Sequence, residues 1–231
     1  MRGDEILALV NISPINFCHN LYVINPQAGL PQRLTMEASR VAFDLVRLSA
    51  QAGFRTMFNS LQAWASINHL HLHSMNVPHQ LGMDVCPSVP LRPGGIIRRL
   101  CPQSTLFDGF VLNLRNETDL EEIVTSIERI VSYFHAHNIA YNVVWSRGSD
   151  LIDGQRITRL IRCLIWPRAS GEGLHPHPAF DNACAELGGH LPIKTRDSFD
   201  QLTGAWAYER LRTSSLAPQQ LDEIVAVLSK F

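Results

Sequence analysis

The spacing of apolar positions changes several times along the chain, and each change predicts an element. A continuous apolar run from Ile6 to Ile12 reads as a buried strand, Ser13-Pro14 breaks it, and Asn20 to Ile24 resumes as a neighbouring strand. Between Thr35 and Ala52 the apolar residues Val41, Leu45 and Leu48 recur at helical spacing, with Gly53 where a helix would stop. Phe54 to Asn59 and Ser66 to Met75 read as two further strands. Val77 to Gly95, rich in Pro and Gly, reads as a surface connection.

A second series follows. Gly109 to Leu114 reads as a strand. Thr118-Asp119-Leu120-Glu121 has the form of a capping box, opening a helix whose apolar stripe runs through Leu120, Ile123, Val124, Ile127, Ile130, Val131 and Phe134. Ile139 to Ser146 and Ile157 to Trp166 read as strands flanking a turn-rich Arg147 to Gln155. Phe180 to Leu187 and the segment from Pro218 to Leu228 read as helices. The fold class expected is α+β, with strand, helix and strand pair appearing in both halves as if one unit had been duplicated and had diverged.

One of these strands carries unusual chemistry. In Asn68-His69-Leu70-His71-Leu72-His73 three histidines alternate with apolar residues, so an extended backbone puts all three on one face with Leu70 and Leu72 behind them. A helix would scatter the same side chains. Read alone, the row admits attack on a phosphorus centre, metal binding or a structural role. Alternate residues of a strand stand about 6.6 Å apart, so the outer histidines would need a bent backbone to share one ion.

Composition removes several function classes. The chain has 231 residues, 45% of them hydrophobic, which suffices for a substantial core. A formal net charge of -1 supplies no general basic field for nucleic acid or anionic membrane. Five cysteines, with no C-x-x-C spacing, argue against a disulfide framework or a cysteine zinc site and suit a reducing cytosol. No signal peptide or bilayer-spanning stretch is expected, which gives a cytoplasmic protein; no metal and no cofactor are expected either, since the resemblance described next outweighs the metal reading of the row. A homodimer stays open.

The segment Phe58-Asn59-Ser60-Leu61-Gln62-Ala63-Trp64-Ala65-Ser66-Ile67-Asn68-His69-Leu70-His71-Leu72-His73 resembles the histidine-triad superfamily of nucleotide hydrolases and transferases. Asn11 to His19 is similar to that superfamily's strand-turn-strand entry to the site. Leu30-Pro31-Gln32-Arg33, Phe58-Asn59-Ser60-Leu61, Asn68-His69-Leu70-His71 and Gly189-His190-Leu191-Pro192-Ile193-Lys194-Thr195 resemble the GDP-hexose phosphorylase branch, which includes animal GDP-D-glucose and plant GDP-L-galactose phosphorylases. The resemblance implies an antiparallel histidine-triad sheet. Residues 1–95 would be the catalytic half, lacking the N-terminal part of the family domain, and 96–231 a degenerate histidine-triad-like unit with a helical tail.

It also implies a reaction: GDP-glucose plus phosphate gives GDP plus glucose 1-phosphate through a guanylyl-histidine on His71. His19 would orient the triad, and His69 would join the same bonded chain and hold the tautomer of the nucleophile. His73 would contact a non-bridging oxygen or help protonate the leaving group, while Ser66 and Asn59 would hold phosphate or shape the loop around it. Plant phosphorylases and galactose-1-phosphate uridylyltransferases have Gln where His73 stands, whereas hydrolases of the superfamily have His, so nucleotide hydrolysis stays open, as does an inactive nucleotide-binding remnant. Gly189 to Thr195 has no counterpart in the small hydrolases and favours phosphorolysis. Cys18 replaces the Gly usual before His19. His175-Pro176-His177-Pro178 imitates the uridylyltransferase H-P-H-P but sits in a Gly/Pro loop and is expected to be non-catalytic. Arg162, Trp166 and Arg168 on the late strand could reach phosphate or sugar, but a lone Arg on an exposed strand is more often solvated, and the three are left outside the site.

Overall fold

The structure, a computed structural model, describes residues 5–105, 107–170 and 176–231. Among these described residues nine strands form one antiparallel sheet: β1 (Ile6–Val10), β2 (Asn20–Ile24), β3 (Phe54–Asn59), β4 (His71–Asn76), β5 (Ser88–Pro90), β6 (Arg98–Leu100), β7 (Phe110–Leu114), β8 (Ala140–Ile152) and β9 (Gln155–Arg168). Their order across the sheet is β1-β2-β4-β3-β8-β9-β7-β6-β5. The two series of strands meet where β3 pairs with β8, from Arg55 opposite Ser146 to Asn59 opposite Asn142. The expected mixed α+β class with an antiparallel sheet is what the chain adopts.

The helices are α1 (Met36–Leu48), α2 (Gly82–Val85), α3 (Leu120–Ala136), α4 (Cys184–Leu187), α5 (Arg196–Gln201), α6 (Gly204–Arg212) and α7 (Pro218–Leu228). Strand alternation sends Leu72, Tyr141, Val143 and Trp145 to one face, where Phe43 and Val46 of α1, Ile127 and Phe134 of α3, and Ile224 of α7 cover them. The opposite face presents Met57, Met75, Val144 and Leu164, packed under Cys184 and Leu187 of α4 and Leu211 of α6. His71 and His73 share parity with Met75, so both lie on this second face.

Several expectations need correction. β1 is an edge strand rather than a buried one: Val10 is 80% exposed, and Ile6, Leu7 and Leu9 are also exposed, because no third strand or helix among the described residues covers them. α1 begins as expected, with the Thr35 hydroxyl accepting from Ala38 N–H (3.1 Å), but ends at Leu48. Gly53 is not its stop. A Cβ there would stand 2.0 Å from the Val77 carbonyl oxygen, so glycine is required by the close approach of two backbones. The capping box ahead of α3 uses Asn116 and Asp119, with the Asn116 N–H donating to Asp119 Oδ2 (3.2 Å), while Glu121 pairs with Arg40 of α1 (2.7 Å).

The supposed connection 77–95 contains α2 and β5. The turn-rich stretch 147–155 is mostly strand, since β8 runs to Ile152 and turns on Asp153-Gly154 alone. Both turn residues have positive φ (50° and 75°), the requirement of a tight type I′ hairpin. Helix in 180–187 is limited to α4. Arg162 and Arg168 are buried, not solvated: Arg162 donates to the carbonyls of Ser149 (2.8 Å) and Cys86 (2.7 Å). Arg168 donates to Asn142 Oδ1 (3.0 Å), Ser214 Oγ (2.8 Å) and the Asn182 carbonyl. Trp166 is buried against the same second face.

Cys18 closes the turn between β1 and β2 with φ of 58°, the left-handed region in which glycine costs nothing and other residues are strained. Its carbonyl is fixed there by the Ser74 hydroxyl (2.9 Å). Replacing Cys18 by Gly is expected to leave stability unchanged or raise it by up to about 1 kcal/mol, whereas Cys18→Val, β-branched at the same φ, lowers it by about 1–2 kcal/mol. Equal midpoints for the two variants in urea denaturation would contradict this.

Candidate active site

β4 starts at His71, not Ser66, and the histidine row is therefore two residues long. β2 and β3 hold this strand on either side: His73 stands opposite Leu21 and Met57, and His71 opposite Val23. The third imidazole of the cluster comes from His19, just before β2, brought alongside by the pairing of Asn20 with Ser74.

These three rings form one line of contacts. His71 Nε2 lies 3.1 Å from His73 Nε2, and His73 Nδ1 lies 3.1 Å from His19 Nε2. At the far end the Ile15 N–H donates to His19 Nδ1 (3.1 Å), and at the near end His71 Nδ1 donates to the carbonyl of His69 (2.7 Å). Those two backbone groups have fixed roles, and with neutral rings they assign every proton between them. His19 carries its proton on Nε2 and donates to His73 Nδ1. His73 then carries its proton on Nε2 and donates to His71 Nε2, whose lone pair is the end of the line. The Asn11 amide, its oxygen held by the Ser13 N–H (2.9 Å), places its nitrogen 3.1 Å from the same His19 Nε2; with a proton on that Nε2 both groups are donors, and this contact is not a hydrogen bond.

The protonation states suit that direction. Withdrawal from water lowers the pKa of His19 and of His71, in the latter case partly countered by the bond to the His69 carbonyl. For His73 the same desolvation, with His71 and His19 on either side, pushes the value down to about 3. All three imidazoles are thus neutral near pH 7, and a neutral imidazole is the nucleophilic form.

His69 precedes the strand and meets this line through its backbone carbonyl; its imidazole takes no part, and its Nε2 is buried without a partner among the described residues. Asn59, at the end of β3, has its side-chain oxygen engaged by Asn142 Nδ2 (2.6 Å) and by the Cys184 N–H (3.2 Å), which tie the end of β3 to β8 and α4. Ser66 is exposed on the loop between β3 and β4. His177 accepts from the Ala179 N–H (3.0 Å) and packs on Trp206, while His175 lies outside the described residues.

Gln32 was not singled out by its side chain in the sequence, yet it is buried and clamps the backbone of His71. Its amide nitrogen donates to the carbonyls of Asn59 (2.9 Å) and His71 (3.2 Å), and its Oε1 accepts from the His71 N–H (2.9 Å). The Gln32 N–H donates to Asn68 Oδ1 (2.9 Å), and Leu70 N–H to the Leu30 carbonyl (2.8 Å), so the Leu30-Pro31-Gln32-Arg33 block docks on the histidine motif. The Gly189–Thr195 block reaches the other side: Asn16 Nδ2 donates to His190 Nε2 (3.2 Å), tying it to the loop that holds His19. Among the described residues no group of three His, Cys, Asp or Glu side chains is placed to hold a metal ion. None of their helices is long and apolar enough to cross a membrane.

The family profile described as GDPGP1-like, N-terminal domain, matches residues 1–75, and that described as GDPGP1-like, C-terminal domain, matches residues 107–230. GDP-D-glucose phosphorylase 1 of Macaca fascicularis is 39% identical over 97% of this chain, and that of Homo sapiens 38% over 97%. GDP-L-galactose phosphorylase 1 of Arabidopsis thaliana is 24% identical over 98% of the chain. The chain spans 59% of the length of the two animal relatives and 50% of the plant one. Among solved structures, yeast Ap4A phosphorylase Apa2 has the same fold, with a TM-score of 0.67 at 19% identity, covering 94% of this chain and 76% of that one. With both of its profiles matched, over residues 1–75 and 107–230, the chain belongs to the GDPGP1-like family.

Proposed function

We propose that this chain carries the nucleotidyl-transfer centre of a GDP-hexose phosphorylase, converting GDP-D-glucose and phosphate to GDP and glucose 1-phosphate. The observation that supports the reading is the fixed lone pair of His71: its Nδ1 proton is spent on the His69 carbonyl, and its Nε2, which accepts from His73 Nε2–H, is the lone pair an electrophile takes when that bond is released. His71 Nε2 attacks the phosphorus next to the nucleoside, glucose 1-phosphate leaves with the electrons of the broken P–O bond, and inorganic phosphate then displaces His71 to form GDP. Splitting one displacement into two in this way is the gain of covalent catalysis.

In this proposal His73 gives up its bond to His71 as substrate arrives and turns its Nε2–H to a non-bridging oxygen, where charge builds. His19 keeps that proton on Nε2 by occupying Nδ1 of His73. Gln32 is a positioning residue, and His69 serves through its carbonyl. Asn59 shapes the loop, and Ser66 is left to contact phosphate. Residues 1–95 act as the catalytic half and 96–231 as its support. The unpaired cysteines fit a cytoplasmic location, and neither nucleic acid nor membrane is a partner in this reading.

Incubation with GDP-glucose, with and without phosphate, tests the proposal. GDP and glucose 1-phosphate are expected only when phosphate is present, and His71→Ala lowers their formation on the order of 10³-fold or more. Release of GMP without phosphate would instead favour hydrolysis, the reading that a histidine at position 73 keeps open. An unchanged rate in His71→Ala would remove the nucleophile assignment.

The lowered pKa values carry a stability consequence. A histidine whose folded value lies below its unfolded one binds its proton more readily in the unfolded chain, so it contributes stability above the unfolded pKa that is lost as pH falls. For His73 that window runs from the ordinary histidine value of 6.5 down to about 3. Thermal unfolding is therefore expected to drop in midpoint between pH 7 and pH 5, and to drop less in His73→Gln, which removes one of the titrating groups. Equal drops in the two proteins would show that His73 is not buried in its neutral form.

A further inference from the structure

Residues 12–16 lie between β1 and β2, and the hydrogen bonds around them are mostly local. The Ser13 N–H donates to Asn11 Oδ1 (2.9 Å), the Ile15 N–H to His19 Nδ1 (3.1 Å) and the Phe17 N–H to Asn16 Oδ1 (2.7 Å). The end of the turn is fixed separately, with the Phe17 carbonyl accepting from the Asn76 N–H (2.8 Å) and the Cys18 carbonyl from the Ser74 hydroxyl (2.9 Å). Among the described residues one hydrogen bond ties 12–16 to a distant part of the chain, that from Asn16 Nδ2 to His190 Nε2 (3.2 Å). The Ile15 N–H, which selects the tautomer of His19, is the backbone donor next to it.

His190 is anchored on both sides. α4 closes in a Schellman turn, with the His190 N–H donating to the Ala185 carbonyl (2.9 Å) and the Gly189 N–H to the Glu186 carbonyl (2.9 Å). Gly189 takes the left-handed position of that turn, at a φ of 94°. Beyond it Leu191 and Ile193 pack on the second face of the sheet, and the Lys194 N–H donates to the Ala179 carbonyl (2.8 Å). Because the Phe17 N–H engages the Asn16 side-chain oxygen, the Asn16 nitrogen faces His190, whose Nε2 is the acceptor. Withdrawal from water, with His79 and Arg55 alongside, lowers the pKa of His190 and favours the neutral ring that can accept. Arg55 is itself paired with Asp84 (2.5 Å).

The bond from Ile15 to His19 has an opponent, which is why its support matters. The Asn11 nitrogen beside His19 Nε2 is a donor and favours the tautomer with a lone pair there. Were the Ile15 N–H to withdraw, His19 could move its proton to Nδ1 and accept from Asn11. His19 Nε2 and His73 Nδ1 would then face each other as two acceptors, and the bond that keeps the His73 proton on Nε2 would be lost. We propose that His190 is a positioning residue for the histidine cluster: by accepting from Asn16 it holds the Ile15 N–H against His19 Nδ1, and so sets the direction in which His19 and His73 donate.

Imidazole ¹⁵N shifts of His19, assigned through His19→Ala in the full chain, test this without turnover. In the unaltered chain Nδ1 is expected to be unprotonated and Nε2 protonated. In His190→Phe, which keeps a ring but no acceptor, the two shifts are expected to move toward each other. Asn16→Ala should produce the same change, and the double variant no more than either alone. His190→Gln, whose side-chain oxygen can accept from Asn16, should keep the original shifts. In the phosphorolysis proposed above, on which this part alone rests, kcat falls about 10- to 100-fold in His190→Phe with KM little changed. His19 shifts that stay still in both His190→Phe and Asn16→Ala, or that move as far in His190→Gln as in His190→Phe, would overturn the proposal even in an active enzyme. The expected shifts in a chain without phosphorolytic activity would support the positioning role and remove the reaction instead.

Discussion

The site depends on one short contact, the bond from His71 Nδ1 to the carbonyl of His69 two residues earlier. It forms because the chain is not yet a strand at His69, so that carbonyl can turn toward the ring of His71 instead of joining the ladder. It fixes both the ring's orientation and its tautomer. Gln32 makes the arrangement rigid, because one amide engages the N–H and C=O of His71 together with the carbonyl that ends β3. A glutamine is suited to this, since its side chain offers a donor and an acceptor in the geometry of a peptide group. With that backbone fixed, the protons of His73 and His19 can run in only one direction.

The rest of the molecule keeps this strand still. β4 is an interior strand, bonded on both edges, so its register cannot slip without turning both histidines to the wrong face. The second series of strands acts on the site from the side through buried polar side chains. Arg168 on β9 holds Asn142, Asn142 holds Asn59, and Asn59 also receives the N–H that opens α4. A buried guanidinium is costly unless its donors are satisfied, and here carbonyl, amide and hydroxyl oxygens from three segments engage both terminal nitrogens. The loop that carries Ser66 leaves β3 directly from this network.

How much of this was legible in the chain depends on what kind of signal each part gives. β2 and β3 were found to the residue and β7 nearly so, because short apolar runs with clear breaks leave little choice. The amphipathic stripe of α3 was equally plain. Asp153-Gly154 is a strong hairpin signal, yet the polar residues around it on the long β8–β9 ribbon disguised the strands, so a turn of two residues was read as one of nine. Arg162 and Arg168 looked solvated because a sequence shows a charge but not the distant carbonyls that pay for its burial. The two-residue pattern extended the histidine strand back to Ser66, whereas the bond between His69 and His71 needs the strand to begin later. The chemistry of Gln32 had no signal at all: its partners are main-chain atoms, far along the chain, which no spacing of side chains encodes. The left-handed Cys18 was foreseeable only through the family resemblance, which implies glycine at that place.

The central claim is that His71 is held neutral, with its proton on Nδ1 and its lone pair on Nε2. Imidazole ¹⁵N chemical shifts of the chain at pH 7, assigned through His71→Ala, measure this directly. A protonated-type shift at Nδ1 and an unprotonated-type shift at Nε2 are the predicted result. The opposite tautomer, or an imidazolium with protons on both nitrogens, would contradict the account.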